Sequence, residues 1–214
     1  MSNRDIESNK DKQIKAAAYY DKFSRIYDLL SPRHYYHKAR LQAVKELQLS
    51  KGKTVLNIPV GTGQNFDYFQ HYLNNTGLII GVDISAGMLD KAQKKIEKNQ
   101  WINIQLLNQN VTNLKADVEG VDSILCDLGL SGFPQWQHVI DSLISMLSPN
   151  GRIVIMDWYI EKPSFTGLLV QWIGRGEVNR PLWQYLETKV TDFHVDSSFN
   201  RGNVFVASGT KIAP

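Results

Sequence analysis

The sequence predicts one α/β domain of the Rossmann-like, doubly wound type, built on a mostly parallel seven-stranded sheet. Three observations predict this fold: apolar strands alternate with amphipathic helices, a glycine-rich loop follows the first strand, and two β-rich runs joined by a tight turn come last. Alternation gives right-handed crossovers and a sheet covered on both faces, and the final pair adds an antiparallel C-terminal hairpin at one edge. The 214 residues fit a single domain, with N-terminal cap helices over 1–50 and the core over 51–214.

The individual elements follow from apolar periodicity and from the residues that interrupt it. Apolar residues at helical spacing predict a helix over 14–30, and Ser31-Pro32 ends it because the residue before proline avoids helical angles. Further helices are predicted at 35–47, 64–73, 85–98, 138–147, 165–173 and 181–190. Short apolar runs predict strands at 54–58, 78–82, 102–106, 123–126, 152–156, 192–198 and 203–208. Pro149-Asn150-Gly151 is predicted to turn the chain into the fifth strand.

The charged residues are balanced and scattered. The 24 basic and 21 acidic residues give a formal net charge of +3, which is too small to indicate a nucleic-acid partner. The densest basic group is predicted to form one solvated face of a helix: Lys91, Lys94, Lys95 and Lys98. We expect at most peripheral contact with a membrane surface, and the sequence carries no signal for an oligomeric state.

Neither cysteine chemistry nor a targeting segment is indicated. The single cysteine, Cys126, lies in an apolar run, so we expect a small buried core residue, and the sequence predicts no disulfide and no metal site. The first residues are polar and charged, unlike a signal or transit peptide, and no apolar run approaches the ~20 residues that span a bilayer. We therefore expect a cytoplasmic protein.

The strongest local signal is the loop that follows the first strand. Gly61 and Gly63 stand one residue apart before a helix, where glycine allows a sharp turn and lets a ligand approach the free N–H groups. Asp83 ends the next strand about twenty residues further on, where a carboxylate accepts hydrogen bonds from both hydroxyls of a ribose. Asp83 could instead cap the helix that begins after Ser85, but its combination with the two glycines favours a nucleoside site. The missing third glycine disfavours NAD.

In order and spacing, four segments resemble the motifs of the S-adenosylmethionine (SAM)-dependent methyltransferases. They are VLNIPVGTG, GVDISAGML, the run 105–110 with the following Val111, and VDSILCDLGLSGF together with SPNGRIVIMDW. The resemblance covers roughly residues 19–211 and implies SAM as the cofactor, with Met88 against its adenine. It implies cofactor contacts from Tyr20, Asn57, Pro59, Gly61, Thr62, Gly63, Asn65, Asp83, Ile84, Met88, Asn110, Val111, Asp127 and Leu128.

Within this family the sequence is most similar to the ubiquinone/menaquinone-biosynthesis C-methyltransferases and the bacterial phospholipid N-methyltransferases. The similarity rests on YDKFSRIYD at 20–28 and on the ending 202–209. It implies that the N-terminal helices close over the cofactor and help to shape the pocket. It also implies a small-molecule or lipid-type acceptor, such as a quinol or a phospholipid amine. Tyr20 and Tyr27 would then close the pocket, although aromatic residues at helical spacing more often belong to the core.

Three positions depart from the family pattern. Asn57 replaces the usual acid of the first motif, Pro59 replaces a glycine, and Asn110 replaces the acid beside the adenine, whose amino group an amide oxygen still binds. Asn57 removes a charge-assisted bond of about 1.5–3 kcal/mol unless Asp127 or another acid compensates. Two alternatives therefore stay open beside methyl transfer: other SAM chemistry, such as that of a lyase or hydrolase, and a catalytically silent SAM-binding partner protein.

The candidate catalytic residues follow the fourth and fifth strands. Because a sulfonium methyl is already activated, the protein needs to align the acceptor and exclude water, with a base where the acceptor is a carbon or a hydroxyl. Asp127 is the expected orienting acid, Tyr159 a hydrogen-bonding or pocket residue, and His138 the histidine nearest to the expected site. Arg175 and Arg180 could meet an anionic group on the acceptor.

Overall fold

The structure, a computed structural model, describes residues 18–21, 24, 33–111, 114, 118, 120–162, 167–168, 171 and 176–212. The helices are α1 His37–Glu46, α2 Phe66–Leu73, α3 Ala86–Asn99, α4 Trp136–Met146 and α5 Leu182–Glu187. The strands are β1 Thr54–Ile58, β2 Leu78–Asp83, β3 Ile104–Asn108, β4 Val121–Asp127, β5 Leu147–Trp158, β6 Val190–Phe199 and β7 Val204–Lys211.

Within the described residues, seven strands form one sheet in the order β3-β2-β1-β4-β5-β7-β6. The pairs among β1 to β5 are all parallel, whereas β7 runs antiparallel to both β5 and β6. This confirms the predicted mostly parallel sheet with an antiparallel C-terminal hairpin. The chain passes from β1 outward to β2 and β3 and then places β4 on the other side of β1. The strand order therefore reverses between β1 and β4, which is where ligands bind to open α/β sheets.

Different helices cover the two faces of the sheet, as the doubly wound prediction requires. One apolar cluster packs α1, α2 and α3 against the sheet and includes Phe66 and Leu89. The other packs α4 and α5 and includes Leu143 and Leu186. Cys126 belongs to the second cluster and is 1% exposed, and burial raises the pKa of its thiol well above the ordinary value. It is the inert core cysteine that the apolar run predicts.

Two predicted helices lie largely outside the described residues. Of the helix predicted at 14–30, residues 18–21 and 24 are described and helical; of the helix predicted at 165–173, residues 167, 168 and 171 are described and helical. The predictions for Tyr27 and Arg175 fall outside the described residues. No helix formed by the described residues combines the length and apolarity needed to cross a bilayer.

Two predicted boundaries in the sheet differ from the structure. β3 begins at Ile104 rather than at 102, because Ile102 is 89% exposed and turns away from the apolar surface that its type suggests. The predicted turn before the fifth strand is a bulge inside β5 instead. Leu147 pairs with β4, the next paired residue is Arg152, and between them Asn150 adopts a φ of 61°. The turn residues act locally as predicted, but the strand continues on both sides of them.

A polar network fixes the C-terminal end of α1 to the sheet. Arg152 of β5 donates from Nε to the Glu46 carbonyl (2.7 Å) and from Nη2 to Glu46 Oε2 (3.2 Å) and Ser208 Oγ (3.1 Å). Ser208 Oγ donates to Glu46 Oε2 at 2.7 Å. A carbonyl at the end of a helix has no helical partner, so the guanidinium satisfies it and also complements the negative end of the helix. The network ties α1 to β5 and β7 and thereby positions the rest of the helix.

Replacing Arg152 is expected to loosen this attachment. Arg152→Met should lower the free energy of unfolding by about 2 kcal/mol, because it leaves the partly buried Glu46 carboxylate without its cation. Urea unfolding followed by tryptophan fluorescence measures the change. Lys45→Met is the matched control, since Lys45 is an exposed basic residue in the last turn of the same helix; we expect less than about 0.5 kcal/mol for it. Equal losses in the two variants would contradict the role given to the network.

Candidate functional site

The ends of β1, β2 and β4 meet where the strand order reverses. The loop 59–65 leaves β1, Ser85 precedes α3 after β2, and the loop 128–133, called the post-β4 loop below, follows β4. Three of the predicted motif segments therefore lie at one edge of the sheet. Among the residues that the structure describes, no group of histidine, cysteine and acidic side chains is arranged to hold a metal ion.

The glycine loop turns sharply between β1 and α2. Gly61 and Gly63 have φ angles of 54° and 71°, a region that costs other residues about 1–2 kcal/mol. A Cβ atom at Gly63 would overlap the ring of Phe66, the first residue of α2, so this glycine serves helix packing as well as the turn. Pro59 follows a cis peptide bond and lies against Gly129 of the post-β4 loop, where a Cβ atom would overlap the proline ring. A glycine in the neighbouring loop therefore makes room for Pro59.

Asp83 joins the glycine loop to the start of α3. Its Oδ2 accepts a hydrogen bond from the Gly61 N–H and its Oδ1 one from the Ser85 N–H, each at 2.9 Å. Burial raises the pKa of the Asp83 carboxyl, although these two bonds favour the charged form. The helix cap that the sequence assigned to Asp83 as an alternative is Ser85 instead, whose Oγ accepts from the Met88 N–H at 3.1 Å.

The residues expected around an adenine lie near the start of α3 and the end of β3. Two of them are buried and two are half-buried: Met88, Val111, Ile84 and Asn110. Asn108, for which the sequence carries no signal, donates from Nδ2 to the carbonyls of Asp83 (3.1 Å) and Ile84 (3.0 Å). It fixes the backbone that carries the Asp83 carboxylate. Thr62, in the glycine loop, is 1% exposed.

Asp21 fastens the described N-terminal residues to the start of α3. Its Oδ1 accepts from Ser85 Oγ at 2.6 Å and from the Gly87 N–H at 2.9 Å. These bonds, with that from Ser85 the stronger, hold the pKa of the Asp21 carboxyl below its ordinary value. A negative charge at this point also complements the positive end of the helix. Tyr20 is half-buried and directly precedes Asp21, so this segment is anchored to the helix that Asp83 contacts.

Within the described residues, a buried polar cluster connects β1, β4, α1 and the start of α2. Asn65 Nδ2 donates to Asp127 Oδ2 at 2.6 Å and to Asn57 Oδ1 at 3.2 Å. Arg40 of α1 donates from Nε to Asp127 Oδ2 at 3.3 Å and from Nη1 to Gln64 Oε1 at 2.5 Å. Every member of the cluster is at most 7% exposed. The structure thus brings the predicted residues Asn57, Asn65 and Asp127 together and adds Arg40 and Gln64 to them.

Two acceptor atoms of this cluster have no hydrogen-bond partner among the described residues: Oδ1 of Asp127 and Oδ1 of Asn65. Buried polar atoms are nearly always hydrogen-bonded, because a desolvated acceptor without a donor costs free energy. The two oxygens therefore need donors that the described residues do not supply, such as a water molecule or a ligand N–H group.

Asp157, at the end of β5, holds the post-β4 loop on the face of the sheet that carries α4. Its Oδ2 accepts from the Ser131 N–H at 3.0 Å and its Oδ1 from the Trp158 N–H at 2.8 Å. Complete burial raises the pKa of Asp157 to about 6, the charge of Asp127 acts in the same direction, and the two N–H groups oppose it.

Arg180 donates hydrogen bonds to backbone carbonyl groups of the same loop. Its Nη1 donates to the carbonyls of Leu130 (3.1 Å) and Phe133, and its Nε donates to Glu177 at 3.2 Å. The Glu177 N–H donates to the Ser131 carbonyl at 2.8 Å. The guanidinium is engaged within the protein, which counts against the expectation that Arg180 meets an anionic group of the acceptor.

The remaining predicted residues, Leu128, Tyr159 and His138, differ in solvent exposure. Leu128 is half-buried, has a φ of 53° and donates from its backbone N–H to the Met156 carbonyl at 2.7 Å. Tyr159 is half-buried, and its ring meets that of Trp183 edge-on with 6.4 Å between centroids. His138 is exposed on α4. Leu128 and Tyr159 therefore lie at the carboxyl ends of β4 and β5, whereas His138 faces the solvent.

The sheet topology and the loop geometry define a Rossmann-like protein with a nucleoside-type ligand site. A profile of the ubiE/COQ5 methyltransferase family matches residues 6–172, which is more than half of the chain. The chain belongs to the ubiE/COQ5 methyltransferase family.

Relatives and solved structures agree with this placement. The demethylmenaquinone methyltransferase of Oceanobacillus iheyensis is 25% identical over 139 residues, which are 64% of this chain and 58% of the relative. The chain thus spans less than two thirds of the length of the curated relatives that it matches.

Two solved structures share the fold. Geranyl diphosphate C-methyltransferase from Streptomyces coelicolor A3(2), in complex with S-adenosyl-L-homocysteine, has a TM-score of 0.69 at 10% identity and covers 84% of this chain and 80% of its own. Phosphoethanolamine N-methyltransferase 2 from Haemonchus contortus, in complex with S-adenosylhomocysteine, has a TM-score of 0.73 at 12% identity and covers 94% and 59%. At such identities the likeness shows the fold alone.

Asp157→Asn is expected to change how stability depends on pH. The pKa of Asp157 is about 6 in the folded protein and about 4 in the unfolded chain. Between these values the folded state binds more protons, so this carboxyl lowers the free energy of unfolding as the pH rises. One pKa unit corresponds to about 1.4 kcal/mol, so its contribution falls by roughly 3 kcal/mol over this range.

Urea unfolding of the original protein and Asp157→Asn over about pH 4 to 7 measures the difference. Asp90→Asn serves as the control, because Asp90 is exposed and pairs with Lys94 on the surface. A difference between the original protein and Asp157→Asn that stays constant with pH would show that Asp157 titrates normally.

Proposed function

We propose that this chain is a SAM-dependent methyltransferase that transfers a methyl group to a small-molecule or lipid-type acceptor. The observation that carries the proposal is the site at the reversal of the strand order: a glycine loop bonded to the Asp83 carboxylate, beside the unpartnered oxygens of Asn65 and Asp127. Membership in the ubiE/COQ5 methyltransferase family supports it, as does the likeness to methyltransferase structures that contain S-adenosylhomocysteine.

The residues present fit SAM. Asp83 accepts one backbone N–H at each oxygen, and a carboxylate with about four lone-pair sites can accept two ribose hydroxyls as well. Met88 and Val111 offer buried apolar surface for the adenine. We assign the amide of the half-buried Asn110, next to Val111 in the sequence, to the polar edge of the adenine. The unpartnered oxygens of the buried polar cluster suit the positively charged end of the cofactor.

When bound, SAM would supply an activated methyl group: a nucleophile in line with the S–CH₃ bond would bond to the methyl carbon, and S-adenosylhomocysteine would leave with the electrons of the C–S bond. The chain's part is to orient the acceptor and exclude water. We assign Asp127 to orienting the bound cofactor toward the acceptor and Tyr159 to the pocket wall, since both lie at the carboxyl ends of their strands. Asp157 and Arg180 hold the post-β4 loop rigid, so the acceptor meets a preorganised surface. His138 stays a predicted base, acting from an exposed position.

Among the possible acceptors, we place a quinol first. The curated relatives are demethylmenaquinone methyltransferases. Phe133, Tyr159 and Trp183 are partly buried beside the second apolar cluster, and the indole N–H of Trp183 is buried with no acceptor among the described residues. An aromatic molecule that carries oxygen atoms fits these groups, whereas the engaged guanidinium of Arg180 offers little to a phosphate. A lipid-type acceptor of this kind requires only peripheral contact with a membrane.

Product analysis tests the proposed reaction. The purified protein is incubated with methyl-labelled SAM and, separately, with a demethylated quinol, phosphatidylethanolamine and a small amine. We expect the label in the quinol. Cleaved SAM without a methylated product would instead favour lyase or hydrolase chemistry, and SAM that binds but stays intact would favour a silent partner protein.

Calorimetric titration tests the site independently of the acceptor. Asp83→Ala should weaken binding of SAM and of S-adenosylhomocysteine by roughly 10- to 100-fold, because bonds to a charged group are lost. Asp90→Ala, on the exposed side of α3, should leave both affinities unchanged. Since Asp83 also holds the N–H groups of Gly61 and Ser85, thermal unfolding of each variant is measured beside it. Unchanged affinity in a folded Asp83→Ala protein would exclude Asp83 from the site.

A further inference from the structure

β1 brings no charge to the buried polar cluster. Asn57 uses both ends of its amide within the protein, since Nδ2 donates to the Leu125 carbonyl (3.4 Å) and Oδ1 accepts from Asn65 (3.2 Å). Asn57 is completely buried. A cationic ligand therefore finds at β1 neither a negative charge nor a polar group without a partner.

The neighbouring strand carries a carboxylate in the corresponding place. Asn57 pairs with Leu125 and Ile58 with Cys126 in the parallel register of β1 and β4. Asp127 therefore lies one residue beyond the last paired residue of β4 in this register. Because side chains alternate along a strand, it faces the same side of the sheet as Leu125 and hence as Asn57. Asn65 bridges the two side chains by donating to both.

The two carboxylate oxygens of Asp127 differ in their hydrogen-bond donors. Arg40 Nε and Asn65 Nδ2 both donate to Oδ2, at 3.3 and 2.6 Å. Oδ1 has no donor among the described residues, although Asp127 is only 7% exposed. Arg40 and Asn65 thus orient the carboxylate through Oδ2, and the second oxygen needs a donor from elsewhere. Oδ1 of Asn65 is also buried and also lacks a donor among the described residues.

We propose that Asp127 binds the ammonium group at the amino-acid end of the cofactor, with Asn65 Oδ1 as a second acceptor, so that β4 supplies the charge that β1 lacks. This inference rests on the proposed function. The amino-acid end carries one ammonium and one carboxylate, and the Arg40–Asp127 pair presents one charge of each sign. An ion pair of this kind complements a zwitterion without leaving a net charge buried.

The other carboxylates near the site are engaged differently. Asp83, at the end of β2, accepts one hydrogen bond at each oxygen, from the glycine loop and from the residue that precedes α3. Asp157 bonds two backbone N–H groups and faces the opposite side of the sheet. Asp127 is thus the carboxylate of the three with a buried oxygen that lacks a donor among the described residues.

Two ligands separate an ammonium contact from a general effect on the site. S-adenosylhomocysteine carries the ammonium group, whereas 5′-methylthioadenosine keeps the nucleoside and the thioether but has no amino-acid end. In Asp127→Asn the amide can keep its oxygen toward Arg40 and present an N–H to the ligand. We expect calorimetry to give roughly 10- to 100-fold weaker binding of S-adenosylhomocysteine and unchanged binding of methylthioadenosine.

A double variant that carries the carboxylate on β1 instead of β4 provides the second measurement. In the double variant Asn57→Asp/Asp127→Asn, the carboxylate stands on the neighbouring strand at the same face of the sheet. We expect it to recover most of the lost affinity for S-adenosylhomocysteine, because the ammonium again meets one negative charge. Thermal unfolding with and without ligand shows that each variant is folded.

The outcomes separate this inference from the proposed function. Unchanged binding of S-adenosylhomocysteine by Asp127→Asn would overturn the assignment of Asp127 while the methyltransferase proposal stands. Equal weakening of both ligands would also overturn it, because Asp127 would then act on the nucleoside part or on the fold. If the original protein binds neither ligand, the proposed function itself fails, and this inference fails with it.

Discussion

One buried ion pair, Arg40 with Asp127, holds the candidate site together. Asp127 Oδ2 accepts N–H groups from α1 and from Asn65 at the start of α2, so a single carboxylate connects three elements. Burying two charges costs several kcal/mol per ion before their attraction is counted, and removing one partner leaves the other uncompensated. The pair therefore requires α1 to stand where Arg40 reaches β4. The network of Arg152 and Glu46 at the other end of α1 sets that position.

A buried carboxylate and a guanidinium also fix the structure on the opposite face of the sheet. Because side chains alternate along a strand, Asp157 of β5 faces α4, while Asp127 faces α1. Asp157 accepts the Ser131 N–H, and Arg180 donates to carbonyls of the same post-β4 loop. The loop that follows Asp127 is thus held through both kinds of backbone group, by a carboxylate and by a guanidinium. In the proposed methyl transfer, a loop fixed in this way would give the acceptor a preorganised surface, which in-line alignment requires.

Local patterns predicted most of the fold, but they did not predict which distant residues contact Asp127. Apolar periodicity and the glycine loop place β1 to β5, their helices and Asp83, because each of these signals lies within one or two elements. The partners of Asp127 are not local: Arg40 lies 87 residues away along the chain, on a helix whose neighbouring basic residues are exposed. Nothing in spacing alone distinguishes Arg40 from a solvated arginine. The start of β3 was predicted too early for a similar reason, since an exposed Ile102 resembles a strand residue in composition only.

Two of the three departures from the family pattern, Pro59 and Asn57, lie next to a complementary group on β4 or in the loop after it. Pro59 stands where a glycine is usual, and Gly129 in the post-β4 loop leaves the space that its ring needs. Asn57 stands where an acid is usual, and Asp127 on β4 offers a buried oxygen beside it. These contacts fit the proposed cofactor site, in which β4 and the loop after it provide the charge and the space beside β1.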